Sequence, residues 1–263
     1  RENIEPNFET ISRIMTSSIF RTFVTTAVSL CAFAAHAQTW PTKPISLVVT
    51  YPPGGGADTM ARLIAPKLGD ALGQTVVVEN KPGASGQIGA SAVAKAAPDG
   101  YTLMLDASSF AVNPALFAKL PYDSDKAFKP IGVIALFPNV LLVNPSFPAS
   151  SVKEMIALAK AKKNAVSFAS SGNGSAQHLA GAMFESTAGV EMLHVPYKGG
   201  GPALNDVIGG QVPVFFGNLA STLQHVQSGK LKALAATSAK RSAILPNAPT
   251  MAEAGLAGYE VYE

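Results

Sequence analysis

At 263 residues the chain is too long for one small core and long enough for two compact lobes. Apolar residues make up 48% of it and charged residues only 14%, a globular balance. The net charge of +3 comes from scattered Lys and Arg with no basic run or basic-aromatic stripe, so a nucleic-acid partner is not expected.

The first segment reads as a targeting signal. Met15 opens a short n-region with Arg21, an apolar run extends from Phe23 to Ala35, and Ala35-His36-Ala37 forms a small-x-small cleavage site. Residues Arg1 to Ile14 read as upstream sequence translated from a misplaced start. The apolar run is too short and too rich in Ser and Thr for a membrane span. The one cysteine, Cys31, follows Leu30 where lipidation wants a small residue, so ordinary secretion is expected, with cleavage after Ala37. The mature chain would then have no cysteine and no disulfide.

Strand-like and helical patterns alternate from Ile45 onward. Ile45–Thr50, Thr75–Asn80 and Thr102–Asp106 read as strands, separated by helices over about Asp58–Leu72 and Gln87–Ala96. Short continuous apolar strands joined by helices imply a buried parallel sheet. A second series has strands near Val140–Val143, Val166–Ala169, Met192–Val195, Val214–Phe216 and Leu231–Thr237. Helices fit at Ala176–Ala188 and Ala203–Ile208, and Ser151 to Glu154 has capping-box spacing ahead of the face Val152, Met155, Ile156 and Ala159. The expected division is residues 1–37 as upstream extension and signal, 38–137 as lobe one, 138–238 as lobe two, and 239–263 as a return to lobe one.

Three glycine-rich loops join strands to helices. The first is Tyr51-Pro52-Pro53-Gly54-Gly55-Gly56-Ala57-Asp58. Its glycines let bare N–H groups approach a ligand, and the helix that follows adds a positive dipole end, which suits an anion. The alternative is a tight turn and nothing more. It has neither the Lys-Ser/Thr of a Walker loop nor a dinucleotide fingerprint. Gly56 is expected to need φ > 0, and Asp58 to cap the helix. The second loop is Asn80 to Gly89, at the same carboxyl edge of the sheet. The third is Ser170-Ser171-Gly172-Asn173-Gly174-Ser175, with Ser175 as helix N-cap. Three such loops split over two lobes point to a cleft between them.

Catalytic and metal readings find less support. Ser85 and Ser175 lack a nucleophile elbow, and His178, His194 and His225 lack metal-ligand spacing. Asp106 is either a base or a turn residue, Lys198 either an anion partner or a solvated lysine, and His178 either structural or a ligand contact. A hydrolase using Ser175 and His178 is the enzymatic alternative, with no acidic orienter evident. No metal or cofactor is expected, and no catalytic residue is assigned.

Trp40-Pro41, Tyr51-Pro52-Pro53-Gly54-Gly55 with Asp58 and Ala61-Arg62, Glu79 to Ala84, and Pro98 to Leu103 resemble the tripartite tricarboxylate transporter substrate-binding (Bug) family. So do His178-Leu179-Ala180-Gly181, Val195 to Gly199, Gly229-Lys230-Leu231, Ser238 to Arg241 and Pro249 to Gly255. The resemblance implies an α/β, two-lobed periplasmic-binding-protein (Venus flytrap) fold and a non-enzymatic, monomeric periplasmic receptor. It would take a small carboxylate for membrane transporter subunits, or else hand it to a signalling partner. By position it implies ligand contacts at Tyr51, Gly55, Gly56, Ala57, Ala84 and Ser85, with the remaining contacts assigned to Ser108, Ser171, Ser175 and Asn218. Pro213 and Gly217 stand where family members usually carry acidic residues. Members usually run on past the position of Glu263, so lobe one is expected to be truncated at its C-terminus.

Overall fold

The computed structural model describes residues 40–263. The predicted signal and its cleavage site lie outside the described residues. From Lys43 to Glu263 the chain forms one compact unit built on two sheets.

The first sheet has three parallel strands in the order β2-β1-β3: β1 Ile45–Val49, β2 Val76–Asn80 and β3 Thr102–Leu105. Helix α1, Gly56–Leu72, crosses from β1 to β2, and α2, Gln87–Ala94, from β2 to β3. Ala57, Ala61 and Ala65 of α1 share a core with Leu47, Val49, Tyr51 and Leu105. Small residues on that face let the helix lie close to the strands. The helix stops at Gly73 (φ +66°), whose N–H returns to Gly69 O, a left-handed glycine C-cap. A further helix, α3, spans Ser109–Leu116. The sequence reading missed it because Pro114 and the polar Asn113 interrupt the apolar pattern.

The second sheet has five strands in the order β6-β5-β7-β4-β8. They are β4 Asn139–Val143, β5 Ser167–Ser170, β6 Leu193–Pro196, β7 Val214–Asn218 and β8 Lys232–Ala236. β4 runs antiparallel to both its neighbours, so this sheet is mixed, while β5 is parallel to β6 and β7. Its central strands alternate between two cores. Leu141, Val143, Val214 and Phe216 face one, and Val140, Leu142 and Phe215 the other. Helices α4 (Val152–Ala161) and α5 (Ala176–Ala188) cover the first face; α6 (Gly200–Ile208) and α7 (Leu219–Gln227) cover the second. Every residue of β4 and β7 is buried. Burying each large apolar side chain there contributes roughly 1.5–3 kcal/mol. α7 also escaped the sequence reading; Asn218 caps it, accepting from Ala220 N.

The predicted capping box at α4 forms with one shift. Ser151 Oγ accepts from Glu154 N at 3.2 Å, but the Glu154 carboxylate takes the N–H of Ser150, at 2.6 Å, rather than that of Ser151. Residues 239–263, which the sequence reading sends back to the first lobe, bury Met251, Leu256 and Tyr259 in the core of the five-stranded sheet. The Tyr259 hydroxyl donates to Ala180 O of α5, so both ring and polar tip are satisfied there. Gly217, at one of the departures from the family pattern, is a packing position. A Cβ there would fall within 2.9 Å of Thr222, Phe215 and Leu142 atoms, leaving no room for an acidic side chain.

Candidate functional site

The loop from β1 to α1 is locked from beneath by Asp58. Its Oδ2 accepts from Gly54 N at 3.0 Å, and its Oδ1 from Asn80 Nδ2 at 2.9 Å; Arg62 Nε reaches both oxygens at 3.0 Å. Burial would raise the Asp58 pKa, but the bonds from Arg62, Gly54 and Asn80 outweigh it and hold the carboxyl below its usual value. Asp58 is therefore not the N-cap. That position is Gly55, with no side-chain cap, and Asp58 reaches back from inside the first turn as the acid of a capping box does. Its charge is consumed within the turn. The N–H groups of Gly55, Gly56 and Ala57 have no acceptor among the described residues. The left-handed glycine is Gly54 (φ +84°) rather than Gly56. Gly56 is needed for a different reason: a Cβ there would lie 2.9 Å from Asn218 Cγ, at the end of β7 in the other sheet.

The β2–α2 loop carries four successive residues of positive φ: Gly83 (+126°), Ala84 (+48°), Ser85 (+54°) and Gly86 (+86°). For Ala84 and Ser85 this is a strained conformation of the kind that clusters at functional sites. The strain is held in place from two sides. Asn113 Nδ2 of α3 donates to Ser85 O at 3.0 Å, and Ser85 Oγ donates to Asn173 O at 2.7 Å, across to the β5–α5 loop. Below Gly86 lie Thr50 and Asp106. The Asp106 pKa is pushed up to about 6, by burial above all, against the Ala107 N–H and the neighbouring hydroxyls of Thr50 and Ser109. Its Oδ1 accepts from Ala107 N at 2.7 Å, the turn role. The Tyr51 hydroxyl donates to Ser109 Oγ at 2.6 Å, and Ser109 Oγ in turn donates to Asp106 Oδ1 at 3.3 Å. Burial raises the Tyr51 pKa, so the phenol stays protonated.

The β5–α5 loop is built differently. Ser170 Oγ accepts from Gly172 N at 3.1 Å, and His178 Nδ1 accepts from Gly174 N at 3.1 Å. The Ser175 hydroxyl donates to Gly172 O at 2.7 Å and accepts from His178 N at 3.3 Å, the predicted N-cap. Ser175 and the His178 ring are thus each committed elsewhere, and the Ser-His pair of the hydrolase alternative is not formed. His178 stacks on His194 with centroids 4.1 Å apart, and His194 Nε2 lies 2.6 Å from Ser170 Oγ. Burial, and secondarily the charge of His178, lower the His194 pKa to about 4.

The sites predicted from sequence converge in part. Gly55 packs against Gly200 and Gly201 at the start of α6, and a Cβ on Gly201 would be 2.4 Å from Pro53 O. Ser171 is buried beside Gly200. The Ser108 hydroxyl is buried without a partner. Lys198 is exposed. Asn218 binds Glu263: its Nδ2 donates to Glu263 Oε2 at 2.9 Å, and Gln177 Nε2 donates to the same oxygen at 2.7 Å. Sequence reasoning missed Gln177 and Glu263, which lie 86 positions apart and belong to no motif. The Gly200–Gly201 contact has its signal in the run Gly199-Gly200-Gly201, next to Lys198. Among the described residues no His, Cys, Asp and Glu side chains group as a metal site would require, and no helix is long and apolar enough to cross a membrane.

Residues 60–263 match a family model described as "Tripartite tricarboxylate transporter family receptor". The chain is 43% identical over 226 residues to Protein BugT of Bordetella pertussis (strain Tohama I), covering 85% of this chain and 69% of that protein. It is similar in structure to R. palustris Rpa4515 with adipate, at TM-score 0.82 and 40% identity, covering 85% of this chain and 75% of the other. MatC from Rhodopseudomonas palustris with bound malate is similar at TM-score 0.78 and 32% identity, covering 85% and 76%.

Proposed function

Because the chain belongs to the tripartite tricarboxylate transporter receptor family, we propose that it is a periplasmic receptor that captures a small carboxylate for the membrane subunits of such a transporter. The observation that carries this reading is the set of N–H groups of Gly55, Gly56 and Ala57, which have no acceptor among the described residues at the positive end of α1. A carboxylate supplies the missing acceptors. Adipate and malate, the ligands of the two related structures, each offer one.

The three-stranded and five-stranded sheets are then the bodies of two lobes that meet near Phe137 and Pro138. Tyr51, Gly55, Gly56, Ala57, Ala84 and Ser85 contact the ligand from the first, and Ser108, Ser171 and Asn218 complete the cleft. Ser175 acts through the shape of its loop. The protein binds without turnover, as a monomer, and reaches the periplasm by a signal cleaved after Ala37.

Calorimetric titration with a panel of small mono- and dicarboxylates, with chromatography of the ligand afterwards, tests the reading. Saturable one-to-one binding with the ligand recovered unchanged is expected. Absence of binding across the panel, or conversion of the ligand, rejects it.

A further inference from the structure

The β5–α5 loop holds a reactive pair that ligand capture does not require. Asn173 is the one asparagine of the sequence that precedes a glycine. Gly174 has no side chain to hinder its own nitrogen, so that nitrogen can close on the asparagine Cγ in a five-membered ring. Asn173 is exposed, and its side-chain amide makes no hydrogen bond to any described residue; only its backbone carbonyl is used, by Ser85. The side chain is therefore free to turn toward the main chain.

The nitrogen of Gly174 is held quite differently. Gly174 is buried, and its N–H donates to His178 Nδ1, in the first turn of α5, at 3.1 Å. Nδ1 accepts that bond only in a neutral ring with its hydrogen on Nε2. Burial holds the His178 pKa below its ordinary value, against the charge of Glu185 in the same helix. The other titratable group against the ring is His194 of β6, stacked on it with centroids 4.1 Å apart. The ring is thus neutral at pH 7, with its lone pair on the one N–H whose removal turns this nitrogen into a nucleophile. Burial of Gly174 also shields that N–H from hydroxide in bulk water, so the base has to come from within the loop.

We propose that Asn173 is a self-modification site, at which His178 is the general base for closure of a succinimide between Asn173 and Gly174. His178 Nδ1 takes the Gly174 proton, the Gly174 nitrogen bonds to Asn173 Cγ, and the Cγ–Nδ2 bond breaks. Nδ2 takes the proton back from His178 and leaves as ammonia. Water then opens the ring. Addition at Cγ gives aspartate, and addition at the Asn173 backbone carbon gives isoaspartate. The net change is one water in and one ammonia out, with no oxidant or reductant. Both products put a negative charge on this loop. In isoaspartate the chain runs through Cγ, and the carbonyl oxygen that accepts from Ser85 Oγ at 2.7 Å becomes part of a free carboxylate. The tie between the β2–α2 and β5–α5 loops is then no longer made to the main chain. On the receptor reading above, a negative charge added beside Ser85 weakens capture of a carboxylate.

The test is ageing of the 263-residue chain at neutral pH, with peptide mass spectrometry for the exchange of NH₂ for OH at Asn173 and enzymatic methylation for isoaspartate. Conversion of Asn173 is expected, and its absence overturns the proposal. His178→Gln, checked for folding by circular dichroism, should slow conversion about tenfold or more. An equal or faster rate in the folded variant overturns the proposal, because the histidine would then only tie down the Gly174 nitrogen. In the unmodified chain the rate should rise through the His178 titration and then change less than about threefold between about pH 7 and about pH 8. A climb of about tenfold over that unit marks attack through bulk hydroxide and also overturns the proposal. This profile decides alone should His178→Gln fail to fold. Aged protein, separated by its added charge, should bind adipate and malate about threefold or more weaker than fresh protein in calorimetry. Equal binding overturns the effect on the cleft and leaves the chemistry standing. Fresh protein that binds neither ligand counts against the receptor reading alone, since conversion of Asn173 is measured without one.

Discussion

The β1–α1 and β5–α5 loops look alike in sequence and differ in how many of their donors side chains take up. Each is a glycine-rich link from the carboxyl end of a strand into a helix. In the β5–α5 loop side chains of the turn take three donors: Ser170 takes the N–H of Gly172, His178 that of Gly174, and Ser175 that of His178, while the N–H groups of Ser171 and Asn173 have no acceptor among the described residues. In the β1–α1 loop a single acid, Asp58, takes only the N–H of Gly54 from below. Gly55, Gly56 and Ala57 keep theirs. A glycine-rich strand-to-helix loop thus offers an anion fewer donors where its own side chains take some of them first. The loop beside it in the first sheet, with Ala84 and Ser85 at positive φ, turns donors inward: Gly86 N and Ile88 N donate to Gly83 O, and Gln87 N to Ala84 O.

The comparison breaks most directly at Gly56. Gly56→Val places a branched side chain into Asn218, where even a Cβ would come within 2.9 Å. It should weaken carboxylate binding about 100-fold or more by calorimetry, with the melting temperature little changed, since the contact is between loop and cleft rather than in a core. Retained binding would mean that the β1–α1 loop does not hold the ligand.

The opposite pattern is expected in the other loop. Ser175→Ala removes the N-cap of α5 and the bond to Gly172 O, so it should cost about 1 kcal/mol of stability in urea unfolding. Binding should change less than about threefold, because this hydroxyl is already used within its own loop. A large affinity loss without a stability loss would instead make Ser175 a ligand contact.

The smallest effect is a pH dependence in which the two sides oppose each other. His194, under the β5–α5 loop, titrates near 4 instead of 6.5. As pH falls from 6.5 to 4 the unfolded chain takes up a proton that the fold refuses, and stability falls. Asp106, under the β2–α2 loop, titrates near 6 instead of 3.8. As pH falls from 6 to 3.8 the fold takes up its proton before the unfolded chain does, and stability rises. Asp106→Asn removes the rising part. Its melting temperature, followed by circular dichroism, should therefore fall more steeply between pH 6 and 4 than that of the unmodified chain. Equal slopes would show that Asp106 is solvated and unperturbed.

Much of this was legible in the residues and some was not. Eight strands appear within a few residues of their predicted positions because short continuous apolar runs such as Leu47 to Val49 and Val140 to Val143 suit buried strands. The ends of α1 and α5 were marked by Gly73 and Gly189, which take the left-handed conformation that other residues avoid. α3 was hidden by Pro114, and α7 was not placed although it is no shorter than α2 or α6. The role of Asp58 was misplaced by one turn, because an acid in the first turn can face forward as a cap or back as a lock with identical spacing.

The sequence alone determined which segments pair as strand and helix, where the glycine loops fall, and that one of them suits an anion. Those properties depend on neighbours a few positions apart, through side-chain period, propensity and local capping. The tertiary structure alone decided that Gly56 abuts Asn218 and that Gln177, Asn218 and Glu263 meet at one carboxyl. These contacts join residues separated by 45 to 162 positions. No local pattern encodes such a meeting, because it depends on how strand order and sheet twist bring distant strand ends to one cleft.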